Sequence, residues 1–133
     1  MARAPLPWIV AATAVAAIVV VLSISPSGSS GHPSPRPDVT ADKVLPPSTY
    51  SGYEQVVRAY EAARAVPQVL DGLHCYCECA KHFGHRSLLT CFESEHGAAC
   101  DICIGEAILA AEMHRRGLSL EAIRKAVDAR WGS

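Results

Sequence analysis

At 133 residues, half of them hydrophobic, and with a formal net charge of -1, the chain has room for one small domain and excludes a two-domain enzyme. Basic and acidic residues nearly balance, 12 against 13, so long-range attraction cannot gather a polyanion and no nucleic-acid partner is expected. Six cysteines and six histidines are the anomaly, and all but His32 fall between positions 74 and 114.

The run Trp8–Ile24, WIVAATAVAAIVVVLSI, carries no charge. As a helix at about 1.5 Å per residue it would reach roughly 26 Å, near the lower limit for crossing a bilayer core. Residues 1–24 are therefore read as a signal anchor or signal peptide, with the membrane as a partner through this segment. Arg3 precedes the run, which keeps the amino terminus in the cytoplasm and places the rest of the chain outside. No A-x-A pattern comes after it, which favours an uncleaved anchor. Residues 25–49 are rich in Ser, Gly and Pro, with prolines at 26, 33, 35, 37, 46 and 47, and read as a stiff, extended tether in which His32 is solvated.

The folded domain is expected over residues 50–133. Ser51 and Glu54 have capping-box spacing, predicting a helix from there to about Ala65 with Val56, Tyr60 and Ala63 inward. Pro67 interrupts it and Gly72 ends it. Residues 99–116 read as a second helix with Ile104, Ala107, Ile108 and Ala111 available for packing, stopped by Gly117. Ser119 caps a third, whose Leu120, Ile123, Val127 and Trp131 share one face. The expected fold is thus all-α, about three helices around a Cys/His-rich loop. A domain so small, with few large aliphatic side chains, is one that recruits metals or disulfides.

That loop runs His74-Cys75-Tyr76-Cys77-Glu78-Cys79, then His82, His85, Cys91, His96 and Cys100-Asp101-Ile102-Cys103. If residues 75–79 are extended, all three sulfurs share a face; if helical, Cys77 points away. Cysteines two apart are poorly disposed to pair with each other but well disposed to chelate one soft ion. Cys100 and Cys103 open a predicted helix, where the dipole favours thiolates. Ile104 follows Cys103 where haem attachment requires His. The candidate metal ligands are Cys75, Cys77, Cys79, Cys91, Cys100 and Cys103 with His85 and His96; His74, His82 and His114 are weaker candidates, and Tyr76 and Phe92 are expected to shield the site or fill core. The softness of the donors points to Cu(I) or Zn(II), for storage, handling or structural stabilisation, with a metal-transfer protein as a further partner.

The stretch CYCECAKHFGHRSLLTCFESEHGAACDICIGEA, with GLSLEAIRKAVD after it, resembles the bacterial PCYCGC-motif family over roughly the last 70 residues. Cys75, Cys77, Cys79, Gly84-His85, Cys91-Phe92, His96-Gly97, Cys100 and Cys103 carry the match. His74 stands where the family has Pro, and Glu78 where it has Gly. The resemblance implies a small exported, metal-binding module at a bacterial membrane, its C-terminal domain extracytoplasmic.

Two other readings use the same cysteines. A disulfide-stapled extracytoplasmic interaction module would join residues 75, 77 and 79 to 91, 100 and 103, among the 15 pairings that six cysteines allow. A thiol-disulfide redox protein would use Cys100 and Cys103, though no thioredoxin-like strand pattern surrounds them. No enzyme is expected: Glu78, Glu93, Glu95 and Asp101 show no catalytic spacing.

Overall fold

The computed structural model describes residues 31–132, and the apolar run of residues 8–24 lies outside them. Among the described residues there are six α-helices and no strands. No described helix is long and apolar enough to cross a membrane.

A 3-10 turn at Pro47–Tyr50 leads into α1, Glu54–Ala65, and α2, Pro67–Asp71, comes directly after it. Pro67 sits at the start of α2, where its missing N–H removes no hydrogen bond. The capping box does not form. Ser51 ends the 3-10 turn and its hydroxyl donates to the Ser48 carbonyl at 2.8 Å, so Tyr53 becomes the first cap without a side-chain bond. A short hydroxyl takes the nearest backbone acceptor when an upstream turn offers one.

The long helix α5, Asp101–Arg115, is the hub of the domain; α1 and α6, Leu120–Trp131, both pack on it. α6 is capped as its sequence requires, with the Ala122 amide donating to Ser119 Oγ at 3.2 Å. Ile123 and Val127 are fully buried. Leu120 and Trp131 are half-buried and rest on two glycines, Gly72 and Gly105, each of which leaves no space for a β-carbon beneath them. Tyr60, Leu70, Leu73, Leu88, Leu89 and Phe92 complete the core, together with Cys75, Cys79, Cys91 and Cys103.

The expected loop is more ordered than its composition suggests. It holds α3, Cys79–Phe83, α4, Leu88–Phe92, and a 3-10 turn, Glu95–Ala99, each too short to read as a hydrophobic period.

Residues 31–49 depart from the expected tether. Val44 is buried, and the Leu45 amide donates to the Phe92 carbonyl at 3.1 Å. Arg124 donates to the Pro33 carbonyl at 2.8 Å and the Gly72 carbonyl at 3.0 Å, while Arg86 reaches Ser34. The wholly buried carboxylate of Asp71 accepts from the Arg36 amide (2.7 Å) and guanidinium (2.9 Å) and from Ser87 Oγ (3.0 Å), and is ion-paired with Arg86 at 2.9 Å. Nor is His32 solvated: its side chain is fully covered, with Nε2 2.7 Å from Asp128 and Nδ1 accepting from the His74 amide at 2.8 Å. This strap is held through its carbonyls, a few polar side chains and Val39, Val44 and Leu45, which pack on the core, so its richness in Ser, Gly and Pro did not keep it off the domain.

Candidate metal centre

The triple-cysteine segment is neither extended nor helical. Cys75 to Glu78 form a turn that ends with Glu78 in the left-handed region, φ +61°, before Cys79 opens α3. The turn is therefore made with a side chain in place of glycine. It gathers all three sulfurs: Cys75 is 3.3 Å from Cys77 and 3.9 Å from Cys79. Cys77 and Cys79 stand at disulfide-bonding distance from each other, contrary to the expectation that cysteines two apart pair poorly. The turn supplies that approach by folding the chain back between them. The other four cysteines are free.

Neighbouring backbone is held on the opposite side. The Tyr76 amide donates to Glu106 Oε1 at 3.1 Å and the Tyr76 hydroxyl to Asp128 at 2.5 Å. With the His32 bond to the His74 amide, residues 74 and 76 are tied to the strap, α5 and α6, so positions 75 and 77 face the cluster.

The remaining donors arrive from four elements. Cys103, in the first turn of α5, lies 3.2 Å from Cys75 and 3.5 Å from Cys77. Cys91, on α4, lies 3.6 Å from Cys79. Gly84 closes α3 at φ +68° and turns the chain so that His85 Nδ1 stands 3.2 Å from Cys91. His96, in the 3-10 turn, puts Nε2 2.9 Å from Cys79. Gly97 beside it lies against Phe92 and the Cys91 carbonyl with no room for a β-carbon.

Three donor sets result, each with its ligand atoms within 4.8 Å of one another: Cys75, Cys79, Cys91 and Cys103; Cys77, Cys79, His96 and Cys103; Cys79, His85, Cys91 and His96. Seven of the eight sequence candidates are brought together. Cys100 stands apart, its sulfur accepting from the Cys103 amide at 3.5 Å as the cap of α5. Phe92 is buried under Tyr60, and the aromatic ring over the histidines is Phe83, 4.5 Å from His96 and largely exposed. His82 lies instead beside Glu78 and His74 against Tyr76.

The electrostatics suit a cation. Hydrogen bonds from Cys103 and Cys91 outweigh burial and bring the Cys75 thiol down to about 3. Cys103 is pushed up, first by its hydrogen bond to Cys75 and then by Cys91 and burial. A bond to Cys103 favours the Cys91 thiolate, yet Cys75 and burial push Cys91 up as well. Ionisation of Cys75 is thus favoured over that of Cys91 and Cys103, and each further ionisation meets the charge already present. Burial and the adjacent His96 hold His85 below the usual histidine range, so its imidazole is neutral and able to ligate.

Glu106 was missed by sequence reasoning. It is wholly buried, its Oε2 has no partner, and burial followed by the charge of Cys75 raises its carboxyl to about 10. Its signal was legible: it lies three residues after Cys103, hence on the same face of α5.

A family model described as "Protein of unknown function with PCYCGC motif" matches residues 36–133. The match begins at Arg36, well before the last 70 residues that carried the resemblance, and takes in most of the strap. No curated protein and no solved structure matches the chain.

Proposed function

The chain belongs to the PCYCGC-motif family, and from the centre it carries we propose that it is an exported, membrane-tethered protein that binds soft metal, Cu(I) or Zn(II), through clustered Cys and His. The observation that carries this is five sulfurs and two imidazoles gathered into three overlapping donor sets, four of the sulfurs buried in the core. Such donors select soft cations, and a cation is the partner that allows several buried thiols to ionise together. An ion entering the site takes the place of thiol protons, which leave to solvent, while the neutral imidazoles add donors without adding charge. Glu106 lies behind Cys75 as a further negative group that only a nearby cation stabilises in its ionised form. The role is binding, in storage, handling or stabilisation, rather than catalysis. Arg3 ahead of the uncharged run of residues 8–24 supports placement of the domain outside the cytoplasm.

The test is metal analysis of chain purified anaerobically with its thiols protected, and then addition of Cu(I) or Zn(II) to metal-free protein. Bound metal, with a gain in thermal stability that chelation or acid reverses, is the expected result. Metal-free protein whose stability responds to reductant alone would overturn it.

The Cys77–Cys79 pair favours a second reading, thiol-disulfide chemistry at that pair. It gives the stapled-module reading no support. A bond between residues two apart closes too short a loop to join segments of the fold or to constrain the unfolded chain appreciably.

A further inference from the structure

The metal-binding reading leaves open how many ions the centre takes, and the arrangement of its donors bears on that number. One four-coordinate ion on Cys75, Cys79, Cys91 and Cys103 would leave Cys77, His85 and His96 over. These are not bystanders: Cys77 is in contact with Cys75 and Cys103, His85 with Cys91, and His96 with Cys79. The sets also overlap in an ordered way. Cys79 belongs to all three, and Cys91, Cys103 and His96 to two each, His96 being able to serve only one of its two sets at a time. A thiolate sulfur has lone pairs enough to join two soft ions, whereas a neutral imidazole binds one.

Charge points the same way. Five thiolates in a buried site carry five negative charges, and no lysine or arginine is among the hydrogen-bond partners of these sulfurs in the described residues. The nearby basic side chains are engaged elsewhere, Lys81 with Glu78 and both Arg36 and Arg86 with Asp71. Full ionisation of the five sulfurs of the reduced cluster would leave three charges uncompensated with one divalent ion and four with one monovalent ion. Uncompensated buried charge is strongly unfavourable, so all five can act as thiolates together only when more than one ion binds.

We propose that the centre is polynuclear, holding two or more soft ions, Cu(I) or Zn(II), with Cys79 as the thiolate shared between them and Cys91 and Cys103 as secondary bridges. This rests on the metal-binding reading and specifies its capacity. Starting from the reduced chain, in which a thiol reductant has returned Cys77 and Cys79 to thiols, each ion that binds displaces thiol protons to solvent and changes no oxidation state.

The experiment is anaerobic titration of the reduced full-length chain in mild detergent, with Cu(I) and separately with Zn(II), read by native mass spectrometry. Wild-type protein is expected to take at least two ions of one metal, with X-ray absorption of the loaded protein showing a metal–metal scattering path. Cys79→Ser should bind one ion or none. Cys100→Ser should bind as wild type does, because serine keeps the helix cap and the donor sets do not include Cys100. The partly exposed Cys77→Ser, which belongs to one set, should lose no more than one ion and serves if Cys79→Ser does not fold. Wild-type saturation at one ion, or loss of an ion in Cys100→Ser, overturns the polynuclear centre while leaving metal binding in place. Failure to bind either metal overturns both.

Discussion

Replacing Glu106 by Gln should stabilise the reduced, metal-free protein. The carboxyl is wholly buried beside the Cys75 thiolate, and its value rises from 4.5 to about 10. Between those two values the native state holds a proton that the unfolded chain has released, so stability declines as pH rises through that interval and levels off only above about 10. At about 1.36 kcal/mol per pH unit, raising the pH from 4.5 to 7 costs the native state roughly 3 kcal/mol through this one group. Glutamine has the same shape, keeps an oxygen for the Tyr76 amide, offers its N–H2 where the carboxylic O–H stood, and carries no titration. Urea unfolding of both proteins at pH 5, 7 and 8.5, with reductant and chelator present, measures the difference. It should be near zero at pH 5 and grow in favour of the variant with each pH unit. A variant that is less stable by a constant amount at every pH would refute the reasoning, since it would mean that shape and hydrogen bonding, rather than proton linkage, dominate at this position.

Asp71 should behave with the opposite sign. Burial opposes its ionisation, but the Arg36 guanidinium and amide and the Ser87 hydroxyl outweigh burial and hold it below its ordinary value. Its contribution is complete above about pH 4 and is lost as pH falls through the lowered native value. Asp71→Asn should therefore cost about 2 kcal/mol at neutral pH and flatten the acid limb of a denaturation series. Glu78→Gly should raise the thermal midpoint of the apo protein, because glycine takes a positive φ freely and Glu78 contributes only exposed side-chain contacts; an unchanged or lowered midpoint would mean that the turn is not strained by its side chain. Trp131→Ala should cost about 2 kcal/mol, below the 3 to 5 expected of a fully buried ring, because the indole that covers Gly105 is only half-buried.

The range over which each signal acts decided whether it could be read from the sequence. α1, α5 and α6 were legible because each has turns enough to repeat its apolar spacing, and Pro67, Gly117 and Ser119 act on their immediate neighbours. The seven clustered donors were legible as residue types. Their convergence required Glu78 to adopt a conformation that its identity disfavours, which residue-type propensity cannot forecast. Cys100 looked equivalent to Cys103, but a helix start directs the cap residue and the residue three positions later differently, and one sulfur is used as the cap. The strap was hidden because its anchors lie far along the chain: His32 meets Asp128 across 96 positions and Arg36 meets Asp71 across 35. Glu106 was passed over because an acidic residue in a helix is ordinarily on the wet side.

The way the strap is fastened also gives the domain a mechanical polarity. A pull applied at residue 31 is met almost at once by His32, whose ring is bonded on one nitrogen to Asp128 of α6 and on the other to the amide of His74. The latter lies one peptide from Cys75. Tension arriving from the N-terminal side would therefore be carried to the rim of the cysteine cluster before it reaches α1 or α5, whereas a load applied at the end of α6 would first meet Trp131 and the packing over Gly105. The two ends of the described chain are not equivalent handles: the N-terminal one bears on the donor turn through the His74 amide, and the C-terminal one through Asp128 at the Tyr76 hydroxyl.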